Sequence, residues 1–213
     1  MPTRILLVRH GETAWNRQGL FRGRADVPLN EAGRAQAQAL AAAVANLPLA
    51  AVYTSPLGRA VETAQAVAAP RGVTVQPMPA FLDIDYGRWQ GRAREEIERT
   101  DALRYRRWLR APHTVTFPAG ESLAHVRDRA VPALIDLAQR HEGQTILVAA
   151  HRVVNKVILC EVLHVGLAGF WRIVQSNACL NVLLYERGLF CVALLNDTCH
   201  LAGSGWPALS ADF

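Results

Sequence analysis

The sequence predicts an α/β protein with three layers, α/β/α, around a mostly parallel central sheet. Three observations carry that prediction. Ile5-Leu6-Leu7-Val8 and Thr145-Ile146-Leu147-Val148-Ala149-Ala150 are continuous apolar runs rich in β-branched residues, the pattern of strands buried on both faces. Each run ends abruptly in a histidine, as Arg9-His10-Gly11 and as His151-Arg152. Between and after them, strand-like and helix-like segments alternate, which favours a parallel sheet covered on both sides. In open α/β sheets ligands bind at the carboxyl ends of the strands. The two histidines therefore stand at the expected edge and could face each other if their strands lie side by side.

The elements follow in order. Residues 4–9 read as the first strand, and Ala-rich residues 31–46 as a helix. Ala51-Val52-Tyr53-Thr54 is a short strand. Ser55 suits a helix N-cap and Pro56 the first helical position, so a helix is expected over 56–69, stopping before Pro70. Arg59 would then sit one turn in, able to reach back to the sheet edge. Val73-Thr74-Val75 alternates as a strand before Pro77 and Pro79. Glu95 to Leu109 reads as one helix, His113 to Glu121 as a loop, and 122–141 as a long helix that Pro132 could kink. After strand 145–150, the stripe Val153, Val154, Val157, Ile158 and Val162 marks a helix over 153–163. Ala178 to Glu186 and Leu189 to Asn196 form a hairpin across Arg187-Gly188, and the tail from Gly203 is rich in Gly, Pro and Ser.

At 213 residues, 51% hydrophobic and 19% charged, the chain suits one globular α/β domain over 1–213. No apolar run approaches the roughly 20 residues that span a bilayer. Met1-Pro2-Thr3-Arg4 leads directly into the first strand without room for a signal peptide, so the expectation is a cytoplasmic protein without membrane partners. The net charge is +5, and of 23 basic residues only Lys156 is lysine. No basic run or Arg/aromatic stripe points to nucleic acid. Arg104, Arg106, Arg107 and Arg110 around Trp108 fit an amphipathic helix with a solvated basic face, or a rim that draws anions. Cys160, Cys179, Cys191 and Cys199 form no C-x-x-C pair and read as small core residues in a reducing compartment. The seven histidines lack metal-ligand spacing, and no metal is expected. The Leu180 to Leu195 hairpin offers an edge through which a homodimer could form.

The set Leu7-Val8-Arg9-His10-Gly11-Glu12-Thr13 with Asn16, Pro28-Leu29-Asn30 with Gly33, Ser55-Pro56-Leu57 with Arg59 and Glu62-Thr63 spans the first third of the chain. Asp83-Ile84-Asp85-Tyr86-Gly87 with Trp89 and Gly91, Gly120-Glu121-Ser122, and His151 complete it. In this order the set resembles the histidine phosphatase superfamily, also called phosphoglycerate mutase-like. The resemblance implies a small helical cap over about 88–125, no cofactor and a small phosphorylated metabolite as partner. It assigns His10 as the nucleophile that forms a phosphohistidine. Such attack needs one free ring nitrogen and the other held by a backbone acceptor. Arg9, Arg59 and His151 are then candidates for the equatorial phosphoryl oxygens, because the arginine fork matches phosphate geometry. Asn16 could donate one more hydrogen bond, and Gly11 would let the backbone approach the phosphate.

Two positions depart from the family pattern. Asp83 stands where a glutamate usually serves as general acid, and aspartate is shorter by roughly 1.5 Å. It could act through a backbone shift or a water, with Asp85 as the alternative. Arg152 stands where glycine is common, which removes a close approach and could add a cation, or it is an outward-pointing helix residue. Arg107-Trp108, Ala111-Pro112-His113, Phe117 through Ser122, Phe170-Trp171 and Asn196 through Leu201 look like the metal-independent phosphoserine phosphatase branch. Tyr86 replaces that branch's frequent histidine. His200 could touch substrate or simply pack the tail. The expectation is a metal-independent phosphomonoesterase acting on a small carboxylated phosphate ester, such as phosphoserine or a phosphoglycerate derivative. A cofactor-dependent phosphoglycerate mutase and a catalytically weak phospho-ligand binding protein are the rivals.

Overall fold

Six strands form a single sheet in the computed structural model, which describes residues 1–201. The tail from Gly203 lies outside the described residues. The strands are β1 (Thr3–Arg9), β2 (Ala51–Thr54), β3 (Val75–Pro77), β4 (Thr145–Ala150), β5 (Leu180–Glu186) and β6 (Leu189–Asp197). Their spatial order is β3-β2-β4-β1-β5-β6. The pairings β1/β4, β2/β4 and β2/β3 are parallel, and the hairpin β5–β6 joins β1 antiparallel. The helices are α1 (Ala14–Arg17), α2 (Glu31–Ala43), α3 (Gly58–Ala68), α4 (Arg94–Thr100), α5 (Ala102–Arg110), α6 (Leu123–Arg140) and α7 (Arg152–Val162). None of those described is long and apolar enough to cross a membrane.

The three layers follow from the period-2 alternation of the central strands. Ile5, Leu7, Ile146 and Val148 point to one face and pack with Leu134 and Leu137 of α6 and Val154 and Val157 of α7. Leu6, Val8, Leu147 and Ala149 point to the other and pack with Leu40 of α2 and Ala64 and Val67 of α3. Both faces are thus apolar, which is why these strands read as unbroken hydrophobic runs. Trp89, Tyr105, Trp108 and Phe117, from the segment containing α4 and α5, extend the first cluster. In α5, Tyr105 and Trp108 face inward while Arg106, Arg107 and Arg110 are exposed, the solvated basic face expected there.

Several boundaries differ from the sequence reading, each through a contact that local pattern does not encode. The third strand is Val75–Pro77 rather than 73–75; it lies at the sheet edge, where a missing proline N–H costs no ladder bond. The helix expected over 95–109 breaks at Asp101, whose φ of −141° is not helical and whose carboxylate accepts from the Trp89 indole at 3.0 Å. α3 begins at Gly58, not Pro56. Ser55 only accepts from Leu57 N at 3.3 Å, and the Gly58 N–H is taken by Asp26 Oδ1 at 2.8 Å. α2 ends at Ala43, while α6 runs through Pro132 without interruption. Cys191 and Cys199 are exposed rather than core residues, because β6 is the free edge of the antiparallel end and Cys199 follows it. Cys160 and Cys179 are buried, and burial pushes their thiols up to about 11 and about 12.

The loop after β1 lies flat on the first turn of α2. Asn30 caps α2 through Gly33 N at 2.8 Å, and its Nδ2 donates to Glu12 Oε1 at 2.7 Å. A Cβ on Gly11 would meet Gly33 O at 2.4 Å, and one on Gly33 would meet Glu12 O at 2.1 Å. Gly11 is therefore required for this backbone crossing, a different close approach from the expected one to phosphate. Helix propensity alone would favour Gly33→Ala by about 1 kcal/mol. The crossing reverses the sign: Gly33→Ala is expected to destabilise the fold by about 1–3 kcal/mol in urea unfolding, and a neutral or stabilised variant would refute the contact.

Candidate active site

The parallel register of β1 and β4 sets the site. Arg9 lies opposite Ala150, so the next residues, His10 and His151, leave adjacent strand ends together. The His10 N–H donates to Ala150 O at 3.1 Å, and the two ring centroids are 5.2 Å apart. His10 Nδ1 is 2.6 Å from Gly11 O. A carbonyl oxygen can only accept, so Nδ1 carries the proton and Nε2 is the nitrogen with the lone pair. Both rings are buried. Desolvation first, then the nearby guanidinium of Arg59, holds both imidazoles well below the usual histidine value. Both are neutral at pH 7.

Four buried arginines lie in the described residues. Arg9 Nη1 donates to Gln175 O at 2.5 Å, and Gln175 is fixed by Asn155 and Asn181. Arg59 projects from the first turn of α3 and donates to Ala25 O and Gly23 O, each at 2.7 Å. Its Nη2 is also 3.4 Å from Asp83 Oδ2, which in turn is 3.9 Å from His151 Nδ1. Burial pulls the Arg59 guanidinium below its usual range, and Asp83 opposes that shift. Arg152 opens α7 and hydrogen-bonds the Tyr86 hydroxyl, and burial raises that phenol. Arg22, Asp83, Tyr86, Trp108 and Arg152 line one pocket.

The structure thus gathers His10, His151, Arg9, Arg59 and Asp83 at one point, with Tyr86 and Arg152 beside them. The other expected residues make the following contacts. Asn16 closes a capping box on α1, its Oδ1 accepting from Thr13 N at 3.0 Å and Thr13 Oγ1 at 2.8 Å. Its carboxamide oxygen is committed to that short helix. His200 Nε2 bonds Ala178 O at 3.0 Å, and Ala178 N donates to His10 O. One ring nitrogen of His200 is thus held beside the backbone of His10. Asp85 turns from Asp83 to Gly87 N at 2.7 Å and to Arg24. Gly11 contributes its carbonyl to His10 and its N–H to Thr63 Oγ1 at 3.1 Å.

Arg22 and Arg129 were not legible in the sequence. Arg22 bears electrostatically on both histidines and lines the pocket. The one local signal was its position beside Gly23, whose φ of +52° lets the loop bend toward the site. Arg129, on α6, donates to Ala80 O, Asp83 O and Glu121, and Glu121 accepts from Asp85 N at 3.0 Å. These bonds hold the acid-bearing segment from behind. Arg129 and Arg24 hold the Glu121 carboxyl below its usual range against the opposing effect of burial.

Comparison with known proteins agrees with this layout. Residues 5–198 match the histidine phosphatase superfamily (branch 1). Phosphoserine phosphatase 1 of Hydrogenobacter thermophilus is 36% identical over 198 residues, spanning 93% of this chain and 94% of its own. The solved structure of YhfR from Bacillus stearothermophilus aligns with a TM-score of 0.90 at 33% identity, over 93% of this chain and 99% of its own. Phosphoserine phosphatase of Entamoeba histolytica in complex with 3-phosphoglyceric acid aligns with a TM-score of 0.84 at 27% identity, over 93% and 99%.

The depressed histidines make stability depend on pH. In the unfolded chain they take up protons below about 6.5, while in the fold they stay neutral, so the unfolded state binds more protons there. Stability is full above that value and is lost as pH falls through it. Urea unfolding between about pH 7 and pH 5 is expected to show this fall, and His10→Gln to make it shallower. An unchanged slope in that variant would contradict the buried neutral imidazole.

Proposed function

The chain belongs to the histidine phosphatase superfamily and is a phosphatase; from that premise we propose that it hydrolyses a small carboxylated phosphate monoester, such as phosphoserine or a phosphoglycerate derivative, through a phosphohistidine on His10. The observation that carries this reading is the 2.6 Å contact of His10 Nδ1 with Gly11 O, which leaves a neutral, fixed imidazole with its lone pair on Nε2.

In the first step Nε2 attacks phosphorus, the P–O bond to the organic group breaks, and the Asp83 carboxyl proton passes to the departing alkoxide. In the second, a water gives its proton to Asp83 and attacks phosphorus. The P–N bond breaks, its electron pair returns to Nε2, and phosphate leaves. Negative charge on the equatorial oxygens meets Arg9, Arg59 and His151. Both ring nitrogens of His151 and Nε of Arg59 are buried without a hydrogen-bond partner among the described residues, which suits an oxygen ligand at this point. Arg59 connects the two tasks, since it also stands 3.4 Å from the Asp83 carboxylate. The relatives named for phosphoserine and the complex with 3-phosphoglyceric acid support a carboxylated substrate.

The test is phosphate release in the presence of EDTA from phosphoserine, 3-phosphoglycerate and p-nitrophenyl phosphate. Release from at least one substrate, abolished by His10→Ala, is expected; turnover retained by that variant would falsify the nucleophile. Asp83→Asn is expected to slow kcat about 10²- to 10⁴-fold, the range of a lost proton donor. Asp85→Asn, whose carboxylate faces Gly87 and Arg24, is expected to cost far less. The reverse ranking in steady-state kinetics would move the acid to Asp85.

A further inference from the structure

The two histidines and Asp83 are held in place by different means. His10 and His151 leave paired strands, and Arg59 rides on α3. Asp83 lies in the irregular segment 82–86, between the short turns Pro79–Phe81 and Gly87–Trp89, so strand pairing does not set its place. Precision on such a segment has to come from side chains that tie it to a rigid element. The requirement is tight, because an aspartate reaches about 1.5 Å less far than a glutamate. A misplacement of about 1 Å costs on the order of 100-fold in rate.

Arg129 and Glu121 supply that tie. Arg129 Nη1 donates to Ala80 O at 2.7 Å, and Nη2 donates to Asp83 O at 3.2 Å. Its Nε and Nη2 also grip the Glu121 carboxylate at 3.2 and 3.1 Å, the two-point geometry that makes arginine–carboxylate pairs directional. Glu121 Oε2 accepts from Asp85 N at 3.0 Å, and Glu121 N donates to Asp85 O at 2.9 Å. The backbone is thus held at Ala80, at Asp83 itself and at Asp85. The two segments also touch: a Cβ on Gly120 would meet Asp85 O at 2.4 Å, and one on Gly87 would meet Pro118 O at 2.1 Å. Both charged residues are carried by α6, since Arg129 lies within it and Glu121 directly precedes its N-cap, Ser122. Val126, Ala130, Leu134 and Leu137 of α6 belong to the same core cluster as Ile5, Leu7, Ile146 and Val148. The segment bearing Asp83 is therefore fixed relative to the sheet that positions the histidines.

We propose that Arg129 and Glu121 are positioning residues for the general acid: they fix the Asp83 backbone against α6 so that its short carboxyl reaches the departing oxygen. The inference rests on the catalytic reading above, in which Asp83 donates the proton, and concerns how that proton is delivered. Breaking the pair leaves His10, Arg9 and Arg59 on their own carbonyl anchors. Arg129 also bears electrostatically on His151, an influence that every substrate meets alike. The selective loss therefore falls on the event that needs the proton. An alkyl ester releases an alkoxide and depends on it, whereas a p-nitrophenyl ester releases a stabilised phenolate and does not.

The test reads kcat/KM, which counts events up to cleavage of the P–O bond and not the later hydrolysis of phosphohistidine. It is measured for p-nitrophenyl phosphate and for the faster of O-phosphoserine and 3-phosphoglycerate on the same preparation. The ratio of the two values is then independent of how much of the protein is folded. Asp83→Asn is the reference and is expected to lower the alkyl-to-aryl ratio by about 100-fold or more. Arg129→Gln and Glu121→Gln are each expected to lower it by about tenfold or more, with p-nitrophenyl phosphate little affected. A ratio unchanged in either variant, whether both esters slow together or neither does, would overturn the proposal. A variant inactive on both esters would place the pair in the fold alone and overturn it as well. In both cases a selective loss in Asp83→Asn leaves the acid assignment standing. No selective loss in Asp83→Asn, or no turnover of either alkyl ester by the parent protein, would overturn the acid assignment and the proposal together.

Discussion

The parallel register between β1 and β4 is the constraint on which the rest of the molecule depends. It places Arg9 opposite Ala150 and so brings two histidines, 141 residues apart in sequence, to 5.2 Å between ring centroids. A register shift of one residue would turn His10 to the opposite face of the sheet. The strands hold that register because both faces are packed, α6 and α7 on one side and α2 and α3 on the other. The core therefore does more than stabilise the fold: it sets the relative position of His10 and His151.

Around that pair the protein buries several charges, an arrangement that costs stability unless each is anchored. The anchors are mostly backbone carbonyls. Gln175 O holds Arg9, Ala25 O and Gly23 O hold Arg59, and Gly11 O holds His10. Carbonyl dipoles orient a guanidinium without cancelling its charge, so the field at the site stays positive. Burial first, and that field second, keep both imidazoles neutral, and it is the same field that an anionic substrate meets on entry. Fixed donors of this kind need no reorganisation as charge develops on the transferring group.

What was legible in the sequence is what local chemistry determines. β1, β4 and the stripe of α7 could be read because buried parallel strands are unbroken apolar runs and a helix on a sheet repeats its apolar face. The ordered motifs then carried the family and most of the site. What escaped depends on contacts made at a distance. The break at Asp101 needs the Trp89 indole, the start of α3 needs Asp26, and the use of Gly11 needs Gly33. Arg22 looked like one of many arginines in an arginine-rich chain, and only the pocket distinguishes it from the solvated ones on α5. The contact of His200 Nε2 with Ala178 O likewise joins segments that no local pattern connects.

The central claim is that His10 carries the phosphoryl group between the two halves of the reaction. It is tested most directly by rapid quench of the protein during turnover of a phosphorus-32-labelled substrate, followed by peptide mapping under alkaline conditions that preserve phosphohistidine. The account predicts label on the peptide containing His10, formed at a rate no slower than kcat and discharged when unlabelled substrate is added. Turnover without any labelled protein, or label on His151 instead, would contradict it.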